Sequence, residues 1–150
     1  MDWRRLPSVD KISDKLFVGN AVSATDLSFL SANGVTHILS CGSEFQSGNF
    51  PKLPRLVLDI RDNVWNEKTE DEFLKGATQL ALWLKRGETV YVHCYAGVSR
   101  SVTTVLLYLM HQGLSLRKAY DLVSSKRWQA NPAAPYWRFL LRKEDERRGL

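Results

Sequence analysis

Residues 93–101 read His-Cys-Tyr-Ala-Gly-Val-Ser-Arg-Ser, and the segments on either side give this stretch its structural context. The apolar run 89–93 is typical of a buried strand, and the largely apolar run 99–112 is typical of a central helix. A short loop that contains Gly97 therefore joins the end of a strand to the start of a helix. Backbone N–H groups converge at such a helix N-terminus, and they form a binding site for an anion.

Two side chains of this loop add chemistry to the predicted anion site. Arg100 carries a planar guanidinium, which holds two oxygens of a phosphate at once. Cys94 lies at the mouth of the loop, and positive surroundings of this kind favour the thiolate over the thiol. We therefore expect Cys94 to be a thiolate at neutral pH that faces the phosphorus atom of a bound phosphomonoester.

Strands and helices alternate along the first part of the chain, and helices alone follow. The predicted strands are the short apolar runs 16–18, 35–40, 56–60 and 89–93. The predicted helices cover 23–33, 69–86, 99–112, 115–126 and the segment from 135 onward. We expect Thr69 and Glu72 to form a capping box at the start of the second helix. This order predicts an α/β or α+β layered fold, with a small central mixed sheet of about four to five strands flanked by helices.

The length of 150 residues and the composition predict one globular domain over residues 1–150. Apolar residues make up 44% and charged residues 25% of the chain, which excludes disordered, collagen-like and coiled-coil proteins. The N-terminal segment has no signal-peptide or N-myristoylation pattern, and no apolar run reaches the ~18 residues of a membrane span. We therefore expect no membrane anchor.

The numbers of cysteine, histidine and charged residues indicate the cellular compartment and limit the classes of cofactor and partner to be expected. Two cysteines are too few for a disulfide framework, so we expect a reducing compartment, the cytoplasm with the nucleus as a second location. Three histidines and two cysteines form no zinc-ligand spacing, and we expect neither a metal nor another cofactor. The net charge of +5 favours anionic partners, but acidic residues 144–146 dilute the basic C-terminus, so no nucleic acid is expected.

The pattern His-Cys-x-x-Gly-x-Ser-Arg-Ser at 93–101 resembles the signature of the cysteine-dependent dual-specificity protein phosphatases. The resemblance extends over nearly the whole chain, through the segments 12–20, 34–39, 58–62 and 118–127. The chain departs from the family where Trp128 replaces a proline and Ala133 replaces an asparagine, which puts the local packing there in doubt. The resemblance implies a protein tyrosine phosphatase-like fold in a small catalytic domain that needs no metal.

The resemblance also implies a two-step mechanism and assigns residues to it. Cys94 attacks the phosphorus and forms a phosphocysteine, while Asp62 protonates the leaving oxygen and then activates water. Ser101 resembles the hydroxyl that helps the thiolate leave, and His93 resembles the residue that holds the loop and the thiolate. The phosphate oxygens are bound by the side chain of Arg100 and by the N–H groups of Tyr95, Ala96, Gly97, Val98, Ser99 and Arg100.

The general acid has alternatives in the sequence. Asp62 lies in a predicted loop, where aspartate is also common as a turn former. Asp59 is its nearest rival, and Glu67 and Glu70 are further candidates. The match to the family favours Asp62.

Two other residues near the predicted site have open interpretations. Cys41 follows a strand that we expect beside the strand before Cys94. It is either a core residue or, by resemblance to some relatives, the partner of Cys94 in a protective disulfide. Trp65 either takes part in ordinary packing or lines the rim of the pocket and stacks on a phosphotyrosine ring.

The resemblance favours an active protein phosphatase that hydrolyses phosphotyrosine and phosphoserine or phosphothreonine, with a phosphorylated protein as its partner. One alternative is a catalytically weak phosphopeptide-binding module, although such relatives usually lack the cysteine or the arginine. Another is a phosphatase for non-protein phosphomonoesters, such as phosphoinositides or an RNA 5′ end. The uncharged loop residues Tyr95, Ala96 and Val98 argue against a highly charged head group. The sequence leaves the oligomeric state open.

Overall fold

The computed structural model describes residues 3–149, and over these residues five strands and six helices form a layered α/β structure. The strands are β1 (Val9–Ser13), β2 (Leu16–Gly19), β3 (His37–Cys41), β4 (Arg55–Leu58) and β5 (Val90–His93). The helices are α1 (Ala21–Ala24), α2 (Leu27–Ala32), α3 (Thr69–Lys85), α4 (Arg100–His111), α5 (Leu116–Lys126) and α6 (Ala134–Arg147). Short 3₁₀ turns cover Trp3–Arg5 and Ser43–Gln46.

The strands form one mixed sheet in the order β1-β2-β5-β3-β4, which confirms the predicted layered fold. Strand β1 pairs antiparallel with β2, and the other pairs are parallel. The carboxyl ends of β2, β3, β4 and β5 therefore meet at one edge of the sheet, where α/β proteins commonly bind ligands. The stretch 93–101 begins with the last residue of β5, at the centre of this edge.

The side chains of β5 point alternately into two hydrophobic cores, one on each face of the sheet. Val90 and Val92 face the larger core, to which α3, α4, α5 and α6 contribute. Tyr91 faces a smaller core on the other side, together with Phe17 of β2 and Leu30 of α2. Successive side chains of a strand point to opposite faces, so four residues of β5 serve both layers.

Helix α4 is enclosed by the larger core, which explains its apolar sequence. Ten of its 12 residues are buried. The hydroxyls of Thr103 and Thr104 donate to the carbonyls of Ser99 and Arg100, four residues earlier, so they are satisfied without water. These two hydroxyls therefore lie in α4 beside the larger core without leaving a side-chain polar group unpaired.

Two elements differ from the sequence-based prediction. The predicted helix 23–33 is split into α1 and α2, because Asp26 accepts a hydrogen bond from the backbone N–H of Phe29 and starts a new helix. Strand β1 is not among the predicted strands, and only Ile12 of its five residues is buried. Polar residues are usual on an edge strand, so an apolar run does not reveal it.

The predicted capping box at the start of α3 is wrong. Lys68 is the N-cap residue and makes no side-chain cap, while Thr69 is already helical. Glu72 instead accepts a hydrogen bond from the backbone N–H of Asp59, with 2.6 Å between Oε1 and the nitrogen. This bond ties α3 to the segment that leads from β4 towards Asp62.

Membrane spans and metal clusters are both absent from residues 3–149. No helix in this part of the chain is long and apolar enough to cross a lipid bilayer. Nor do three or more His, Cys, Asp or Glu side chains of these residues lie together in a position to hold a metal ion.

Candidate active site

Cys94 lines a cavity of about 600 Å³ at the carboxyl edge of the sheet. It is the first residue of the loop 94–99 between β5 and α4, which is called the cysteine loop below. Only 3% of Cys94 is exposed, and its Sγ lies 3.1 Å from the Oγ of Ser101. The cavity is also lined by five of the six predicted phosphate-binding residues, namely Tyr95, Ala96, Val98, Ser99 and Arg100.

Gly97, the sixth of these residues, lies at the rear of the cysteine loop. Its φ is 71°, in the left-handed region that favours glycine. A Cβ there would meet the carbonyl O of Gly19 at 2.5 Å and Nη2 of Arg127 at 2.6 Å. The cysteine loop therefore packs directly against the end of β2, at a distance that only glycine allows.

The guanidinium of Arg100 is held in one orientation at the wall of the cavity. Its Nη atoms donate to Glu44, at 2.6 Å to Oε1 and 2.8 Å to Oε2, and Nη1 also donates to the carbonyl O of Ile60 at 3.0 Å. Nε is buried, yet within residues 3–149 it has no hydrogen-bond partner, and Oδ1 of Asp62 lies 3.5 Å away. A buried guanidinium N–H without an acceptor is available to an anion.

Glu44, in the 3₁₀ turn after β3, is a site residue that the sequence analysis missed. Burial opposes its ionisation, but the hydrogen bonds and charge of Arg100 outweigh this effect and lower the pKa of Glu44. Burial also disfavours the charged form of Arg100, but Glu44 and Cys94 outweigh it and raise the pKa of the guanidinium. The pair therefore stays ionised, and no motif around Glu44 signals it in the sequence.

Asp62 is the predicted acid that the structure places at the cavity. It lies in the loop after β4 with 53% of its side chain exposed, and it is the only carboxylate of residues 3–149 in the lining. The other candidates, Asp59, Glu67 and Glu70, lie outside the lining. Asp59 pairs with Lys68 at 3.5 Å, and Glu70 pairs with Lys143 at 3.1 Å. Because a general acid must reach the leaving oxygen, the geometry favours Asp62.

His93 lies behind the cysteine loop and is fully buried. Its Nδ1 lies 3.1 Å from the carbonyl O of Cys94, and its Nε2 lies 2.6 Å from Oγ of Ser40. Burial lowers the pKa of His93 to about 4, so the ring is neutral at physiological pH. The structure thus places this imidazole against the backbone of the cysteine loop.

Arg127 supports the cysteine loop from the rear, and the sequence analysis gave it no role. It is fully buried, its Nε donates to the carbonyl O of Gly97 at 2.6 Å, and its Nη2 donates to that of Ala96 at 3.1 Å. Its Nη1 donates to Oδ2 of Asp10 at 2.9 Å. The C=O and N–H of a trans peptide point in opposite directions, so carbonyls held at the rear turn the next N–H groups towards the cavity.

The departures from the family at Trp128 and Ala133 leave the cysteine loop well supported. Trp128 is 85% exposed and takes no part in the core. The N–H of Ala133 donates to Oγ of Ser99 at 2.9 Å, and the N–H of Asn131 donates to the carbonyl O of Val98 at 2.8 Å. The two departures from the family therefore leave the packing of the cysteine loop against residues 131–133 intact.

The rim of the cavity contains residues that the sequence analysis missed. Arg4, Asn131 and Trp137 line it, from the N-terminal turn, the segment before α6 and α6 itself. Trp65 is not in the lining, and its ring packs 5.3 Å from that of Phe139. Trp65 is 37% exposed, so it packs against α6 at the surface and belongs neither to the buried core nor to the rim of the cavity.

Cys41 lies beside Cys94 at the carboxyl edge, because β3 and β5 are parallel neighbours. Its Sγ lies 3.5 Å from Oγ1 of Thr104, one turn of α4 beyond Ser101. Both cysteines are free, and burial raises the pKa of Cys41 to about 12. Cys41 is thus a protonated thiol in the core at neutral pH.

Comparison with known proteins agrees with this geometry. Residues 16–146 match the family described as the dual specificity phosphatase catalytic domain. The chain belongs to this family. Dual specificity protein phosphatase 1B of Arabidopsis thaliana is 32% identical over 127 residues, which cover 83% of this phosphatase and 74% of that protein. Dual specificity protein phosphatase 14 of Mus musculus is 30% identical over 139 residues, which cover 92% of this phosphatase and 70% of that protein.

Solved structures are similar to the phosphatase over nearly its whole length. The crystal structure of human DUSP28 has a TM-score of 0.84 and 27% identity, covering 95% of this chain and 96% of its own. The human tyrosine phosphatase-like serine/threonine/tyrosine-interacting protein has a TM-score of 0.79 and 30% identity. The match covers 91% of this chain and 95% of that protein's chain. These comparisons confirm the predicted fold and the predicted protein phosphatase function, with phosphorylated proteins as substrates.

Proposed function

We propose that this phosphatase cleaves phosphate from tyrosine, serine and threonine in two steps, with Cys94 as nucleophile, Arg100 as phosphate ligand and Asp62 as acid and then base. The observation that carries the proposal is that these three side chains line one cavity. Nε of Arg100, which has no acceptor within residues 3–149, supplies the donor that a phosphate oxygen would satisfy.

In the first step, Sγ of Cys94 attacks the phosphorus and the bond to the leaving oxygen breaks. Protonated Asp62 gives its proton to that oxygen, and the substrate leaves as a neutral alcohol or phenol. The N–H groups of the cysteine loop and Nε of Arg100 bind the equatorial oxygens as their charge grows. The product of this step is a phosphocysteine.

In the second step, the ionised Asp62 takes a proton from water as the water oxygen attacks the phosphorus. The S–P bond breaks, inorganic phosphate forms, and Cys94 leaves as a thiolate. The hydroxyl of Ser101, 3.1 Å from Sγ, donates a hydrogen bond to the leaving sulfur. Ser101 therefore lowers the barrier of this step more than that of the first.

The chemistry of Cys94 also suits the expected compartment. A thiolate nucleophile works only when it is reduced, and cytosol and nucleus keep cysteines reduced. We place the phosphatase in the cytoplasm, with the nucleus as a second location. Fractionation of cells that express the tagged chain tests this, and recovery in a secretory compartment would contradict it.

The roles are tested by hydrolysis of an aryl phosphate as a function of pH, with a chelator present. We expect the wild type to turn over and Cys94→Ser to be inactive. Asp62→Asn is expected to lose the basic limb of the pH profile, because the protonated acid no longer contributes. Asp59→Asn is the matched control, since Asp59 lies outside the cavity lining and should keep the wild-type profile.

A reduced, folded wild type without turnover would contradict the proposal. The phosphopeptide-binding module would then be the better function, and isothermal titration with a phosphotyrosine peptide would measure it. An unchanged profile for Asp62→Asn together with an altered one for Asp59→Asn would move the acid to Asp59.

Cys41 suits a second role, protection of the nucleophile from oxidation. We propose that hydrogen peroxide converts the Cys94 thiolate to a sulfenic acid with release of hydroxide, and that the Cys41 thiol then displaces water to form a disulfide. The position of Cys41 beside Cys94 supports this pairing. Burial of Cys41, which keeps it protonated, should make the second reaction slow.

Peroxide treatment followed by a reductant tests the disulfide. The wild type should recover its activity and show a peptide that links Cys41 to Cys94 in mass spectrometry. Cys41→Ser should instead pass to sulfinic acid and stay inactive. The absence of the linked peptide from inactivated wild type would contradict the proposal.

A further inference from the structure

A chain of hydrogen bonds leads from the outer strand β4 to the backbone of the nucleophile. Nη1 of Arg55 donates to Oγ of Ser40 at 3.1 Å. Oγ of Ser40 lies 2.6 Å from Nε2 of His93, and Nδ1 of His93 lies 3.1 Å from the carbonyl O of Cys94. Ser40 and His93 are fully buried, whereas Arg55 is partly exposed.

The chemistry of these groups determines where each proton lies. A carbonyl O only accepts, so Nδ1 of His93 must carry the hydrogen in its contact with Cys94. A neutral imidazole has one N–H, so Nε2 is bare and accepts from the hydroxyl of Ser40. Arg55 only donates, and its N–H occupies Oγ of Ser40 from the other side. In this arrangement Nδ1 of His93, the Ser40 hydroxyl and Nη1 of Arg55 each donate to an acceptor.

The surroundings of Arg55 hold it in this position. Its Nη1 also donates to the carbonyl O of Phe45 at 2.8 Å, and its guanidinium lies 4.0 Å from the centre of the Phe50 ring. The rings of Phe45 and Phe50 in turn lie 4.7 Å and 5.8 Å from that of His93. The imidazole is therefore flanked by two apolar rings, and its one N–H and its bare nitrogen face Cys94 and Ser40.

We propose that Arg55 is a positioning residue for the phosphatase reaction, because it directs the Ser40 hydroxyl to His93 and so selects the tautomer that fixes the carbonyl of Cys94. Since C=O and N–H point in opposite directions, a fixed Cys94 carbonyl also fixes the first N–H of the cysteine loop, that of Tyr95. The inference rests on the proposed role of Cys94 as nucleophile.

The tautomer is measured by ¹⁵N NMR of the imidazole nitrogens, which distinguishes a protonated nitrogen from a bare one. The chain has three histidines, so substitution of His37 and of His111 assigns the signals. We expect His93 of the wild type to carry hydrogen on Nδ1 and none on Nε2. Hydrogen on Nε2 would overturn the proposal without any variant.

Kinetics of variants then test whether Arg55 imposes this state. Arg55→Met should give a mixture of tautomers and a roughly tenfold loss of kcat/KM for an aryl phosphate, about the value of one hydrogen bond. Arg55→Lys, which keeps a donor, should restore most of the loss. Arg86→Met, at an exposed arginine after α3, is the matched control.

A double-mutant cycle separates this role from simple packing. Ser40→Ala removes the link, so Arg55→Met should cause no further loss of kcat/KM in that background. Equal losses in both backgrounds, or a wild-type tautomer in Arg55→Met, would overturn the proposal. A wild type without turnover but with the expected tautomer would contradict the enzyme function instead, so the two failures are distinguishable.

Discussion

Two buried arginines border the cysteine loop, Arg100 at the front and Arg127 at the rear, and they differ in how completely they are hydrogen bonded. Each of the three guanidinium nitrogens of Arg127 donates to an oxygen at 3.1 Å or less. Arg100 uses only its Nη atoms, and within residues 3–149 its Nε has no acceptor. Its carboxylate neighbours Glu44 and Asp62 are 46% and 53% exposed.

This difference separates the hydrogen bonds that stabilise the fold, at Arg127, from the donors that can bind a ligand, at Arg100. The rear of the loop is complete in the folded protein, so it contributes stability and keeps the N–H groups in place. The front is incomplete: within residues 3–149, Nε–H and one N–H of Nη2 of Arg100 donate to no acceptor, so this pair is available to a phosphate. A phosphate gains hydrogen bonds from donors that the fold leaves without an acceptor, and the front of the loop supplies such donors.

The largest effect should come from the front. Arg100→Lys keeps the charge but loses the planar pair of donors, and we expect kcat/KM for an aryl phosphate to fall roughly 10²–10³-fold. Steady-state kinetics measure this, with Arg86→Lys as the control. A loss below about threefold would show that Nε does not serve the phosphate.

The next largest effect should come from Arg127, at the rear of the cysteine loop, and should lower the stability of the fold. Arg127→Met leaves Asp10 and the carbonyls of Gly97 and Ala96 without their partner, and we expect the free energy of unfolding to fall by about 3–5 kcal/mol. Urea denaturation measures it, and Arg117→Met, at an exposed position on the helix that ends just before Arg127, is the control. An Arg127→Met variant as stable as the wild type would contradict the inference that Arg127 serves the stability of the fold and Arg100 the binding of a ligand.

Acid should weaken the region behind the loop. The pKa of buried His93 is lowered to about 4, so the folded protein binds fewer protons here than the unfolded chain. This stability is present above about pH 6.5, the ordinary pKa of histidine, and is lost as the pH falls towards 4, by on the order of 3 kcal/mol. Denaturation between pH 7 and 4 should therefore be less pH-dependent in His93→Asn, and equal slopes would contradict the assignment.

The smallest effect should come from Trp128, just beyond Arg127. Because its side chain is 85% exposed, Trp128→Ala should change the free energy of unfolding by less than about 0.5 kcal/mol. Trp83→Ala, at a tryptophan that is 8% exposed, should cost about 3–5 kcal/mol in the same urea experiment. A large effect at Trp128 would mean that the segment after Arg127 contributes to the support of the loop.

The sequence predicts a site correctly where the residues that form it are neighbours along the chain. The strand, the cysteine loop and the start of α4 follow one another without a gap, so residues 93–101 were readable directly. The capping box at Thr69 failed because Glu72 found a tertiary partner, the N–H of Asp59, which local rules do not include. Trp65 had two interpretations, and only its contact with the ring of Phe139, far along the chain in α6, decided between them.

The supporting residues were out of reach of the sequence for a related reason. Glu44 meets Arg100 across 56 positions of the chain, and Arg127 meets Gly97 across 30. Neither contact leaves a local pattern, because a glutamate in a loop or an arginine after a helix is common at the surface. Burial of both arginines appears only when the strands bring these segments together.

Residues 93–101 alone predict the class of reaction, because a candidate nucleophile, an anion site and an arginine lie within one strand-loop-helix unit. Packing of distant segments, in contrast, determines which carboxylate faces the cavity, which N–H groups of Arg100 have no acceptor within residues 3–149, and which groups face the two nitrogens of His93. Each of these depends on distances between segments that are far apart in the chain. Hydrogen bonds form only within about 3 Å, so the folded sheet edge, and not the order of residues, selects the partners.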